Sequence, residues 1–290
     1  MDHRRDAEGG LEGMVSGERR RGSAGSAGPE AAGAIDLSAA SWPRVPADAV
    51  VLVPIGSTEQ HGPHLPFDTD TVIASAVVAG VAERLGRGAV VAPALAFGAS
   101  GEHQSFAGTV SIGHEALRFV LIELVRSLST WAGRVVLVNG HGGNVTTLAS
   151  AVPQLVAEGH RVAWVPCTVP RNSGFEGVVD AHAGRVETSL MLHLMPHAVA
   201  LPLPPAGSTT PLPELFARLA ESGVESVSPS GILGDPTGAT AAEGEALLAG
   251  MIADATARVA AGVPDANGML GVSVSRASSD CVEPSGEAAP

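Results

Sequence analysis

The alternation of short apolar runs with longer helical patterns constrains the fold of this chain more than any other feature. Apolar runs typical of buried strands occupy residues 50–55, 89–95, 134–138 and 161–166. Between them, apolar residues recur at steps of three and four, the pattern of helices with one apolar face. This pattern predicts helices over residues 71–85, 116–131, 145–156, 186–195 and 242–259. Because strands that alternate with helices form a covered parallel sheet, we expect a three-layer α/β/α fold with a mostly parallel central sheet.

Composition predicts one folded domain between two tails. The chain has 290 residues, enough to bury a sizeable core. Residues 1–33 are rich in Gly, Ser, Ala and Glu without an apolar period, which predicts a disordered N-terminal tail. Residues 266–290 have the same character, and residues 34–265 remain as the domain. Neither tail has an apolar run of signal-peptide or membrane-spanning length, so we expect a cytoplasmic protein without a membrane partner.

The charge and the residue types exclude several classes of function. A formal net charge of -13 and the lack of a basic cluster in the core disfavour nucleic acid as a partner. With only Cys167 and Cys281 present, a disulfide framework is excluded and a cysteine-based zinc site is not expected. The chain has no Lys for a Schiff base and no Gly-x-Ser-x-Gly turn for a serine hydrolase.

The segment after the first apolar run, residues 56–70, has the composition of a metal site. In an extended chain residues two apart point to the same side, so Glu59 and His61 can bind a common centre. Pro63 and Pro66 stiffen the return of the chain toward Asp70. Carboxylates and imidazole are ligands of Zn²⁺, Mn²⁺ and Fe²⁺. Alternatively, Asp70 only caps the helix that follows it.

Two later motifs supply further candidate ligands. His141 lies in Asn-Gly-His-Gly-Gly-Asn directly after the third apolar run, and His182 and Glu187 lie together in residues 180–189. Ligands of parallel α/β sheets bind beyond the carboxyl ends of the strands, where the Glu59 segment and His141 are predicted to lie. In the polar loop over residues 98–109, Glu102 and His103 are candidates to contact substrate, or they are simply solvated.

With these three motifs in this order, the sequence resembles the creatininase family of dinuclear metal amidohydrolases, from about Ile35 to about Val263. The resemblance implies two divalent ions per subunit, Zn, Fe or Mn, bridged by Asp70 rather than by the neighbouring Asp68. It further implies that Glu59 and His141 complete one ion, that His61 and Glu187 complete the other, and that His182 is the general acid or base. The chain departs from creatininase at Gly142 and Gly143, where creatininase carries a Tyr and a Glu.

The substrate is predicted from the loops. Residues 56–64 and 101–113 are most similar to family members that act on a modified ribosomal precursor peptide, which implies release of a C-terminal dipeptide during redox-cofactor maturation. The absence of Trp between Thr168 and Ala181 argues against creatinine. Alternatives are a small cyclic amide or a formamidopyrimidine as substrate, or a metal-binding protein without catalysis. The resemblance also suggests a homo-oligomer.

Overall fold

The computed structural model describes residues 33–170, 175 and 180–271. Its sheet has five parallel strands in the order β1-β3-β2-β4-β5. The strands are β1 (Ile35–Asp36), β2 (Val50–Ile55), β3 (Ala89–Val91), β4 (Arg134–Asn139) and β5 (Val162–Pro166). The α-helices are α1 (Thr69–Leu85), α2 (Gly113–Leu128), α3 (Val145–Ala157), α4 (Arg185–Leu194), α5 (Leu212–Ser222) and α6 (Ala241–Ala261). The described residues include only Gly33 of the predicted N-terminal tail, and residues 272–290 of the predicted C-terminal tail lie outside them. Residues 266–271 are folded onto the domain, because Met269 pairs with Trp164 of the last strand and Leu270 is buried in the core, so the domain extends beyond residue 265. Disorder of the remaining tail residues stays a prediction.

Two layers of helices cover the sheet, which confirms the predicted three-layer architecture. One buried cluster joins α1, α4 and α6 to one face of the sheet, and a second joins α2 and α3 to the other face. Strand β4 contributes to both clusters: Val136 and Val138 belong to the first, and Val135 and Leu137 belong to the second. Successive side chains of a strand point to opposite faces, so a strand covered on both faces has a continuous apolar sequence.

The elements differ from the sequence prediction where local chemistry interrupts a pattern. Strand β3 ends at Val91 rather than Leu95, and Pro93, which has no backbone N–H to donate, lies in the part that was predicted as strand. Leu95 still forms a single parallel bridge with Ile55. Strand β1 and helix α5 were not predicted. Within the described residues, no helix combines the length and the apolar character that a membrane crossing requires.

The register of the two neighbouring strands β2 and β4 places the candidate site. Ile55 at the end of β2 pairs with Asn139 at the end of β4, so the loops that follow both strands begin side by side. Asn144 joins these loops, because its Nδ2 donates to the carbonyl oxygen of Gly56 at 3.0 Å and to Asn139 Oδ1 at 3.2 Å. The Glu59 segment and His141 are therefore held at the same edge of the sheet.

Candidate metal centre

The loop after β2 folds back so that Asp70 meets His61. The backbone N–H of Glu59 donates to the carbonyl oxygen of Phe67 at 3.0 Å, which closes the loop just before α1 begins. Asp70, in the first turn of α1, then lies with its Oδ1 at 3.2 Å from His61 Nε2. Ser57 Oγ donates to Asp70 Oδ2 at 2.8 Å. Glu59, His61 and Asp70 are all buried.

Two glycines let the start of α1 approach the strand ends this closely. A Cβ atom on Gly56 would lie 2.5 Å from the Cα of Thr71, and one on Gly140 would lie 2.5 Å from the carbonyl oxygen of Asp70. Any side chain at either position would push the first turn of the helix away. The glycines thus set the position of Asp70.

His141, directly after β4, bridges two carboxylates. Its Nδ1 lies 3.1 Å from Asp70 Oδ2, and its Nε2 lies 3.1 Å from Glu59 Oε2. The two oxygens of Asp70 therefore face different histidines, Oδ1 toward His61 and Oδ2 toward His141.

Glu187 reaches the same centre from the first turn of α4. Its Oε2 lies 3.9 Å from His61 Nε2 and accepts the backbone N–H of Ala183 at 2.6 Å. Ala183 has a φ of 52°, a left-handed backbone that is uncommon outside glycine and often marks functional sites. This turn also carries His182.

His182 approaches the other oxygen of Glu59. Its Nδ1 lies 3.7 Å from Glu59 Oε1, and its ring lies 4.3 Å from that of His61. A cavity of about 240 Å³ opens beside His182 and Glu187. The wall of this cavity also includes Asp180, Cys167 and Thr168 together with apolar side chains such as Ile73, Val186 and Met251.

The two loop residues proposed to contact substrate differ in burial. Glu102 is partly exposed, with its Oε1 4.0 Å from His141 Nε2, and lines a separate cavity of about 750 Å³. His103 is 4% exposed and lies with its Nε2 3.5 Å from Glu59 Oε1, so it is not a solvated loop residue. The smaller cavity beside His182 adjoins more of the candidate ligands than the larger one does. Substrate contact by Glu102 and His103 stays a prediction.

The electrostatics of the cluster fit a cation. Both oxygens of Glu59 are buried without a hydrogen-bond donor among the described residues. Burial raises the pKa of Glu59 to about 7, although His141 opposes that shift, and burial also raises the pKa of Glu187. Burial opposes the charged form of His61 and His141, but the neighbouring carboxylates outweigh it and raise the pKa of each ring to about 10. Protons on these rings balance the carboxylates, a role that a divalent cation can take.

Donor atoms of suitable chemistry lie within 4.8 Å of one another in three sets. The sets are Glu59–His61–Asp70, His61–His182–Glu187 and Glu59–His103–His182. Carboxylate oxygens and imidazole nitrogens suit Zn²⁺, Mn²⁺ and Fe²⁺, so the residues present fit a metal centre. The structure brings together all five residues predicted as ligands, while the role of each stays a prediction. His141 belongs to none of the three sets, but each of its nitrogens lies 3.1 Å from a carboxylate oxygen of a candidate ligand.

Sequence reasoning missed two residues of this cluster, Ser57 and Gln60. Ser57 holds Asp70, and the buried side chain of Gln60 lies between His103 and His182. Gln60 lies between two predicted ligands and Ser57 lies two residues before Glu59, but polar residues near a ligand are common in loops. Nothing local distinguishes a buried Ser or Gln from a solvated one.

Comparison with known proteins identifies the family. The family model described as creatininase, creatinine amidohydrolase, matches residues 38–259. The chain belongs to the creatininase family. A relative from Mycolicibacterium smegmatis, described as mycofactocin precursor peptide peptidase, is 54% identical over 225 residues, which cover 76% of this chain and 88% of the relative.

Solved structures of the family show the same fold with metal. A creatininase structure described as the manganese form has a TM-score of 0.65 and 27% sequence identity, covering 80% of this chain and 100% of that one. A mutant creatininase described as the Zn-Zn type has a TM-score of 0.63 and 28% identity, covering 80% and 99%. Creatininases are metal-dependent, and the described residues of this chain contain a cluster able to bind metal.

Proposed function

We propose that this protein is a dinuclear metal-dependent peptidase that releases a C-terminal dipeptide from a modified ribosomal precursor peptide in mycofactocin maturation. The observation that carries the proposal is the convergence of Glu59, His61, Asp70, His141 and Glu187 around one buried centre beside His182. The 54% identity to a mycofactocin precursor peptide peptidase supports this substrate over other amides. The protein is a hydrolase that acts on C–N bonds.

The five side chains are proposed to hold two divalent ions, Zn, Fe or Mn. Asp70 presents one oxygen toward His61 and the other toward His141, which supports its role as the shared ligand. Glu59 lies near His141 and Glu187 lies near His61, which supports the predicted partition of ligands between the ions. Bound ions of this kind supply a nucleophilic water at neutral pH and polarise the scissile carbonyl group.

His182 is proposed to move the proton. Burial lowers the pKa of His182 well below its usual value, and the charges of His61 and His103 act in the same direction, so the ring is neutral. A neutral ring can accept a proton on Nδ1, the nitrogen that faces Glu59, and then pass it to the departing nitrogen. The cavity lined by His182, which is apolar on the side of Ile73 and Met251, is proposed to admit the peptide beside this ring.

The test is to incubate the purified, metal-loaded protein with three substrates and to follow the products by mass. A modified precursor peptide ending in Val-Tyr should become shorter by two residues, a chelator should stop the reaction, and Zn²⁺ or Fe²⁺ should restore it. Creatinine and a formamidopyrimidine should stay intact. Conversion of either of these without shortening of the peptide would contradict the proposed substrate.

A matched pair of variants tests His182. His182→Gln should lower kcat by about 10²- to 10⁴-fold, the usual contribution of a general acid or base, with metal content unchanged. His197→Gln changes an exposed histidine outside the site and should have wild-type kcat.

A homo-oligomer and a cytoplasmic location are further proposals. Light scattering of the purified protein tests the first.

A further inference from the structure

Gln60 lies in sequence between two of the candidate ligands, and its buried side-chain amide is held in one orientation. Its Oε1 accepts the backbone N–H of Gly62 at 2.8 Å, and its Nε2 donates to the carbonyl oxygen of Gly231 at 3.1 Å. Exchanging the amide oxygen and nitrogen would place the amide oxygen against the carbonyl oxygen of Gly231. It would also place the amide N–H groups against the backbone N–H of Gly62. The amide nitrogen of Gln60 must therefore point toward Gly231.

The same nitrogen lies close to two histidine rings. Gln60 Nε2 is 2.8 Å from His103 Nδ1 and 3.1 Å from His182 Nε2. The backbone carbonyl oxygen of Gln60 is also 2.7 Å from His182 Nε2. An amide nitrogen only donates, and a carbonyl oxygen only accepts, so these contacts restrict where each ring can carry its hydrogen.

The restrictions have one consistent solution for neutral rings. His182 Nε2 donates to the carbonyl oxygen of Gln60, so it cannot also accept a hydrogen from the amide. The two amide hydrogens then go to Gly231 and to His103 Nδ1. His103 consequently carries its own hydrogen on Nε2, the nitrogen that faces Glu59 Oε1 at 3.5 Å.

We propose that Gln60 is a positioning residue that fixes the tautomers of His103 and His182, with the hydrogen of each ring on Nε2. His103 then turns its N–H toward Glu59, with Nε2 3.5 Å from Oε1. His182 presents its bare Nδ1 to the centre, 3.7 Å from Glu59 Oε1. The second ring nitrogen of a metal-site histidine is commonly fixed by such a partner.

This arrangement decides among the three donor sets. A nitrogen that carries a hydrogen has no lone pair to offer, so the set Glu59–His103–His182 does not hold an ion. The set His61–His182–Glu187 keeps its lone pairs. The tautomers thus exclude one of the three donor sets and leave the other two able to hold an ion.

The packing around the amide shows that its place is built into the fold. A Cβ atom on Gly231 would lie 1.9 Å from Gln60 Oε1, and Gly231 has a φ of 80° that favours glycine. Gly231 therefore provides both the space for the amide and the carbonyl that orients it.

Neutron diffraction from crystals of the zinc-loaded protein exchanged into D₂O tests the proposal directly. We expect deuterium on Nε2 of both His103 and His182 and none on either Nδ1. Deuterium on Nδ1 of His103, or a bare Nε2 on His182, would overturn it. This measurement does not depend on the substrate. A protein that fails to cleave the peptide would contradict the proposed function, while the neutron map would still test the tautomers.

A kinetic comparison supplies the second arm, which rests on the proposed function. Gln60→Glu keeps the shape of the side chain but removes the donor, so His103 should move its hydrogen to Nδ1. We expect kcat to fall by about 10- to 100-fold, the usual effect of losing such a partner, with KM for the peptide nearly unchanged. Gln154→Glu makes the same change on α3, where Gln154 contacts Arg118 and Glu158 outside the site, and should have wild-type kcat. Wild-type kcat in Gln60→Glu would contradict the role of Gln60.

Discussion

At the scale of single residues, the centre depends on one carboxylate that two histidines share. Asp70 is 2% exposed and contacts His61, His141 and Ser57. A buried carboxylate persists only when other groups compensate its charge. A substitution that removes the charge of Asp70 should therefore impair the centre, even when the size of the side chain is kept.

We therefore expect Asp70→Asn to bind less than half of the wild-type metal and to lose at least about 10³-fold in kcat/KM, because an amide cannot bridge two ions as a carboxylate does. Metal content is measured by mass spectrometry of the desalted protein. Asp68→Asn is the matched control, since Asp68 lies two residues away and is exposed. Full metal content in Asp70→Asn would remove Asp70 from the ligand set.

The protonation of His61 and His141 predicts that metal affinity rises with pH. In the metal-free protein burial opposes the charged form of each ring, but the carboxylates outweigh it and raise the pKa of each ring to about 10. Both rings are therefore in the positively charged, doubly protonated form at pH 7. A ligand must be deprotonated, so binding releases these protons and becomes tighter as pH increases. Calorimetry in buffers of different ionisation enthalpy should show net proton release at pH 7. Zero release would contradict the ligand role of both histidines.

At the scale of elements, the strands β2 and β4 with helix α1 form the frame of the site. Both strands lie in the middle of the sheet, and their boundaries agree with the sequence prediction to within one residue. Such agreement is expected for strands buried on both faces, because every residue of such a strand contacts the core and the apolar run therefore has the length of the strand. Helix α1 begins at Thr69, two residues before the start predicted from apolar periodicity. The periodicity could not include this first turn, because its Asp70 faces the candidate site and is not apolar.

The fit of α1 against the strand ends can be tested by adding one methyl group. Gly56→Ala would place a Cβ atom 2.5 Å from the Cα of Thr71, so the first turn of α1 has to shift. We expect a loss of about 1–3 kcal/mol in the free energy of unfolding, the usual cost of overpacking, together with reduced metal content. Urea denaturation measures the first quantity.

Gly88→Ala is the control for this change. A Cβ atom on Gly88 meets nothing within 4 Å, and the backbone there does not need glycine. This variant should match the wild type in stability and metal content. Equal behaviour of Gly56→Ala and Gly88→Ala would show that the close approach of α1 does not hold Asp70 in place.

At the scale of the whole molecule, the candidate ligands come from three separate parts of the chain. Glu59 follows β2, His141 follows β4 and Glu187 lies in α4, so the centre exists only in the folded protein. A ligand that binds the folded state alone stabilises it by mass action. Metal binding and folding should therefore be coupled.

We expect Zn²⁺ at a free concentration of about 100 times its dissociation constant to stabilise the protein by about 2.7 kcal/mol for each ion bound. For a domain of this size that corresponds to a rise in Tm of roughly 5–10 °C. Differential scanning calorimetry with and without a chelator measures the shift. Asp70→Asn should show no such shift, and an equal shift in this variant would mean that the metal binds elsewhere.

The sequence alone determined the class of the fold and the family, and it indicated the residues of the candidate metal centre. These follow from apolar periodicity and from short motifs, and both are properties of neighbouring residues. It did not determine that His103 is buried against Glu59 or that Gln60 lies between two histidines. Those contacts join Gln60 to residues 43, 122 and 171 positions away. Only the tertiary structure decides them, because the partner of a buried hydrogen-bonding group depends on which distant segment packs against it.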